Sequence, residues 1–182
     1  MKVLSTNTGL PREVVWQGKS VVTGIFKEPV DAIMIRKFFV EGDNVSDLKV
    51  HGGERKAVYG YPSEHYAFWR AAYPSLPMSW GMFGENLSTE GLYEKFALIG
   101  SVYRIGSAVL RVTEPRFPCY KLAAKFGSVD IIKRFLRSGK SGFYFTVIEE
   151  GTVKPGDKIV LVQAGDPGLS IEDVVNERVQ AE

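Results

Sequence analysis

The stretch Val102-Tyr103-Arg104-Ile105-Gly106-Ser107-Ala108-Val109-Leu110-Arg111-Val112-Thr113 decides the fold class. Two runs rich in β-branched and aliphatic residues, 102–105 and 108–113, stand either side of Gly106-Ser107 and read as strands. Residues 109–112 are almost continuously apolar, the pattern of a strand buried on both faces, and residues 159–162 read the same way. Working outward, similar short runs occur at 2–5, 20–26, 32–35, 56–59, 143–148 and 158–162, separated by segments containing glycine and proline. With 19 glycines and 9 prolines in 182 residues, so many short strands predict a mainly β chain. Its sheet should curl into a closed or partly closed β-barrel, because closure removes unpaired edges.

Helical stretches are few. Residues 63–73 start at Ser63, a candidate N-cap, and stop before Pro74; Tyr66, Phe68, Trp69 and Tyr73 form an aromatic stripe expected to pack in the core. Residues 120–126 and 129–136 predict a pair of helices divided at Gly127. Ser170 and Asp173 make a capping-box pattern ahead of Ile171, Val174, Val175 and Val179. Gly165-Asp166-Pro167-Gly168 marks a linker, so the expected organisation is a barrel domain over residues 1–164 and a linker with a C-terminal helix over 165–182.

Composition narrows the function. A formal net charge of +2 from 23 basic and 21 acidic residues argues against a nucleic-acid partner, which selects a basic face. No apolar run reaches the ~20 residues of a membrane span, and the polar turn at Ser5 does not suit a signal peptide. A single cysteine fits a reducing compartment, so a cytoplasmic location is expected. Walker, strand-linked G-x-G-x-x-G and G-x-S-x-G patterns do not occur, and His51 and His65 lack metal-motif spacing.

Three segments could carry chemistry. In Glu114-Pro115-Arg116-Phe117-Pro118-Cys119-Tyr120-Lys121-Leu122 a strand gives way to a helix starting near Pro118, which would place Cys119 at a helix start with Arg116 and Lys121 as cationic neighbours. Such surroundings favour a thiolate, a nucleophile or soft metal ligand; a buried cysteine acting as a small hydrophobe is the equal alternative. In Asp47-Leu48-Lys49-Val50-His51-Gly52-Gly53-Glu54-Arg55-Lys56, paired glycines would gather His51, Arg55 and Lys56 around an anion-compatible turn, or simply form a hairpin. In Gly84-Glu85-Asn86 a carboxylate and an amide could orient a ligand, or close an Asx-type turn.

In order and spacing these segments resemble the MOSC family, named after the C-terminal domain of molybdenum cofactor sulfurase. The resemblance runs through Gly24-Ile25-Phe26-Lys27-Glu28-Pro29-Val30, Glu41-Gly42-Asp43, His51-Gly52-Gly53, Ala57-Val58-Tyr59, Tyr61-Pro62-Ser63-Glu64-His65-Tyr66, Phe83-Gly84-Glu85-Asn86-Leu87, the Pro-Arg-x-Pro-Cys segment at 115–119, Gly142-Phe143-Tyr144 and Pro155-Gly156-Asp157. Within that family the chain looks most like small stand-alone bacterial proteins that reduce N-hydroxylated purines.

The resemblance implies a MOSC-type barrel, of the PK β-barrel kind, holding the molybdenum cofactor (molybdopterin), with Cys119 as metal ligand and catalytic residue. Arg55, Lys56, Asn86, Arg116 and Lys121 are the candidates for gripping the cofactor, and His51 is a candidate proton donor. The implied activity is reduction of a small N-hydroxylated substrate to an amine with electrons from a separate reductase, since flavin and iron–sulfur motifs are lacking. The alternative is a non-catalytic cofactor-binding or sulfur-carrier module with a persulfide on Cys119. Nothing supports a pyridoxal phosphate site. One departure is Thr146, where the family commonly has arginine.

Overall fold

The computed structural model describes residues 1–43 and 53–181. The expected apolar runs become strands β1 (Lys2–Thr8), β3 (Lys19–Thr23), β5 (Ile33–Ile35), β6 (Val58–Pro62), β8 (Val102–Ile105), β9 (Ala108–Pro115), β10 (Phe143–Glu149) and β12 (Ile159–Gln163). Four more, β2 (Arg12–Trp16), β4 (Glu28–Val30), β7 (Leu87–Glu90) and β11 (Gly151–Val153), carry too little apolar periodicity to stand out in the sequence.

Eight strands form one sheet in the order β12-β8-β9-β10-β6-β7-β1-β4. All pairs within it are antiparallel except β6 with β7. The sheet curls until β1 meets the start of β12: Lys2 bridges Lys158, and Ile159 N–H donates to the Met1 carbonyl at 3.0 Å. Closure stops there, so the barrel is partly closed. Strands β5 and β11 form a separate ribbon, as do β2 and β3.

Strand β6 is buried along its whole length, because it separates two cores. Val58 joins Val3, Ile105, Leu110, Phe143 and Phe145 inside the barrel. Tyr59 and Tyr61 face a second core built with helices α1 (His65–Ala72), α2 (Tyr120–Phe126) and α3 (Asp130–Ser138), around Trp69, Phe83, Phe126 and Phe135. Each such side chain contributes roughly 1.5–3 kcal/mol when fully buried. Gly142 has φ +61, and a Cβ there would lie 2.5 Å from the Gly60 carbonyl oxygen, so glycine is required where β10 enters beside β6.

Several expectations need correction. Ser63 does not cap α1; Glu64 holds that position and makes no side-chain capping bond. Phe68 is 47% exposed, while Tyr66 and Trp69 are buried, because residue 68 lies off the helical face they share. Residues Glu54–Lys56 form a 3-10 turn, so β6 starts later than the apolar pattern suggested. Residues 159–162 are not buried on both faces: Val160, Leu161 and Val162 are all about half exposed, because β12 is a terminal strand of the sheet. By contrast, Ser170 and Asp173 form the expected capping box of helix α4 (Ile171–Gln180). Ile171 and Val175 are buried, and Leu169 O accepts from Ile99 N–H at 2.9 Å, so this helix packs back on the barrel domain.

Candidate functional site

Strand β9 ends in Pro115, and Arg116-Phe117-Pro118 leads to Cys119, the N-cap of α2. Pro118 lies one residue outside the cap rather than within the first helical turn; it restrains Phe117 to extended backbone and delivers Cys119 with φ −134 and ψ 172. The Leu122 N–H donates to the Cys119 carbonyl at 2.9 Å.

Cys119 lines a cavity of about 690 Å³, measured with its open mouth. The structure brings Lys56, Asn86, Arg116, Cys119 and Lys121 to this one cavity. It does not bring Arg55, which is exposed; its Nε lies 3.2 Å from Glu114 Oε1. His51 lies outside the described residues. Thr146, on β10 opposite Arg111, does not line the cavity.

Arg116 is 6% exposed. Its guanidinium lies 5.3 Å from the centre of the Tyr59 ring and 5.4 Å from that of Phe135. Its Nη1 is buried and has no hydrogen-bond partner among the described residues. Lys121 is also buried, and Lys56 Nζ is 3.8 Å from Glu114 Oε2. The 3-10 turn carrying Lys56 is held to β9 because Thr113 Oγ1 donates to the Arg55 carbonyl at 2.6 Å. Asn86 is structural as well as cavity-lining: its Oδ1 accepts from Tyr59 N–H at 3.1 Å, and its Nδ2 donates to Asp43 Oδ2 at 2.7 Å.

Among the lining residues that sequence reasoning missed are the polar side chains of Lys27, Asp43, Tyr59 and Tyr144. Lys27 and Asp43 form a buried ion pair. Burial pulls the Lys27 ammonium below the ordinary lysine value, against the opposing pull of Asp43 and Glu85. Burial likewise holds Tyr59 and Tyr144 above the usual phenol value despite nearby Arg116, so both stay protonated at neutral pH. Lys27 and Asp43 stand in the segments carrying the family resemblance, which is the signal that could have found them. Glu85 shapes the site from behind: its carboxylate accepts from the Tyr66 hydroxyl, from Gly81 N–H at 2.9 Å, Phe83 N–H at 3.1 Å and Ser88 Oγ at 2.9 Å.

Among the described residues, no three His, Cys, Asp or Glu side chains converge on a metal position. The cavity offers one soft sulfur, three lysines and a buried guanidinium with an unsatisfied N–H. That donor set fits an anionic group which brings most of its own metal ligands and needs a single thiolate from the protein.

A barrel of this topology with a cysteine at the strand-to-helix turn defines a class, and residues 47–160 match the MOSC domain model. The chain belongs to the MOSC domain family. It is 45% identical over 171 residues to the uncharacterized protein YflK of Bacillus subtilis, covering 93% of this chain and 77% of that one. It is 38% identical over 143 residues to the protein YiiM of Escherichia coli, covering 77% of this chain and 64% of that one. A protein named "Reductase" from Gibberella moniliformis is 34% identical over 161 residues; the match covers 86% of this chain but 28% of that much longer one. The crystal structure of YiiM from Geobacillus stearothermophilus superposes with a TM-score of 0.81 at 36% identity, over 99% of this chain and 84% of that one. No helix among the described residues is long and apolar enough to cross a membrane.

Proposed function

We propose that this chain is an oxidoreductase that binds the molybdenum cofactor in the Cys119 cavity and reduces N-hydroxylated compounds to amines. One observation carries the reading: the single cysteine shares a cavity with a buried arginine whose Nη1 lacks a partner among the described residues. The relative named "Reductase" is consistent with redox chemistry on this domain.

Cys119 Sγ would be the protein's ligand to the metal, while Arg116, Lys56 and Lys121 would hold the anionic parts of the cofactor. When bound, the cofactor supplies a redox-active metal that exchanges oxygen and electrons with the substrate. Reduction of N–OH to N–H consumes electrons and protons and releases water. The buried phenols of Tyr59 and Tyr144 orient polar groups without losing their protons. The Lys27–Asp43 ion pair stands in the cavity wall, where Asp43 Oδ2 also accepts from Asn86 Nδ2 at 2.7 Å. His51 is the proposed proton donor on the sequence argument alone. Electrons would come from a separate reductase.

The test is turnover of a hydroxylamine by protein made in a cofactor-producing host, with an artificial electron donor. The reading requires reduction by the wild type and its loss in Cys119→Ser. A persulfide trapped on Cys119 without any turnover would overturn it in favour of a sulfur carrier.

A further inference from the structure

Lys125 lies in the last turn of α2, the helix that Cys119 caps. A lysine at a helix end usually extends its ammonium into water. Here Nζ turns inward and donates to the carbonyls of Ile25, at 2.9 Å, and Gly81, at 2.6 Å. Those carbonyls belong to two other segments of the site: Thr23, Gly24 and Ile25 line the cavity on one, and Phe83 and Gly84 on the other. The two segments already press together. A Cβ on Gly81 would lie 2.7 Å from the Lys27 carbonyl oxygen, and one on Gly84 would lie 2.9 Å from Ile25 Cγ1.

We propose that Lys125 is a positioning residue for Cys119, tying the helix that presents the thiol to both backbone segments across the cavity and thereby setting the access to its sulfur. Neither carbonyl depends on Lys125 for satisfaction. Ile25 O also accepts from Lys27 N–H at 3.0 Å, and Gly81 O from Gly84 N–H at 3.0 Å. Removing the amine therefore leaves no buried carbonyl unpaired, and the cross-link itself is what is lost. The inference rests on the geometry of the cavity and stands whether or not a metal binds there.

Charge and hydrogen bonding can be told apart at this residue. Burial lowers the Lys125 pKa to about 7, with Glu85 opposing and Arg116, Lys27 and Arg12 adding to the depression. At roughly pH 8.5 the amine is mostly neutral yet still has N–H groups to donate.

Cys119 is the chain's single cysteine, so the rate of its alkylation by neutral iodoacetamide reports this position alone. The rate is measured at roughly pH 8.5 for wild type, Lys125→Met and Lys125→Arg, alongside thermal melting. Loss of the cross-link should speed alkylation in Lys125→Met by at least about threefold, through more frequent local opening. Lys125→Arg, which keeps several donors, should return the rate close to that of wild type. A purely electrostatic role would instead leave the Lys125→Met rate unchanged, because the amine carries little charge at this pH. A slower or unchanged rate in Lys125→Met, or an equal acceleration in Lys125→Arg, overturns the proposal. Should Lys125→Met fail to fold, Lys125→Gln takes its place, since its reach is shorter by one bond. Acceleration there supports the positioning role, and an unchanged rate overturns it.

Discussion

A guanidinium nitrogen buried without a partner, as Nη1 of Arg116 is among the described residues, costs about 1–3 kcal/mol relative to a satisfied one. The chain tolerates that cost at a cavity also lined by Lys27, Lys56 and Lys121, where an anion would remove it. Phosphate should therefore protect the protein against thermal unfolding, by an amount that grows with the logarithm of its concentration above the dissociation constant. The double variant Arg116→Ala, Lys121→Ala should lose that protection. Equal protection of both proteins, followed by differential scanning fluorimetry, would mean general salting rather than an anion grip. The place of Arg116 in the cavity was legible in the sequence because it sits close to the cysteine. That of Lys27 and Asp43 was not legible from local pattern, because their partnership spans two loops and exists only once the chain is folded.

At the scale of elements, local chemistry and tertiary context divide what could be read. The α4 capping box was visible because Ser170 and Asp173 satisfy each other within one turn: Asp173 N–H donates to Ser170 Oγ at 3.1 Å, and Ser170 N–H to Asp173 Oδ2 at 2.8 Å. Ser170→Ala should cost about 1 kcal/mol in urea unfolding with an unchanged denaturant slope. An unaltered midpoint would show that packing of Ile171 and Val175 alone holds the helix. The strand at 159–162 misled for the opposite reason. A continuous apolar run records hydrophobicity but not sheet order, and β12 is placed at the end of the sheet by its pairing with β8. Strands β2, β4 and β11 escaped notice because a ribbon or peripheral strand needs little apolar alternation to find its backbone partner, and the interior strand β7 because Leu87-Ser88-Thr89-Glu90 holds a single apolar residue.

For the whole molecule, the buried cations predict how stability varies with pH. Above about 7 the folded chain carries Lys125 largely neutral. The unfolded chain still binds that proton up to roughly 10.4. Unfolding then takes up a proton, so the Lys125 contribution makes stability rise with pH across this interval and penalises the fold fully below it. The melting temperature of wild type minus that of Lys125→Met should accordingly increase from pH 7 towards pH 10. A flat difference would show that the amine stays charged in the folded state.

The central claim concerns Cys119 as the protein's hold on molybdenum. It is tested most directly by the molybdenum content of wild type and Cys119→Ser made in the same cofactor-producing host. Serine at this N-cap can accept a backbone hydrogen bond that the cysteine does not make, so the variant should melt no lower than wild type. As a poor ligand for a soft metal, it should also retain little molybdenum. Molybdenum in the wild type and its loss from a fully folded variant is the predicted result. A wild type without molybdenum, or equal amounts in both proteins, would contradict the account.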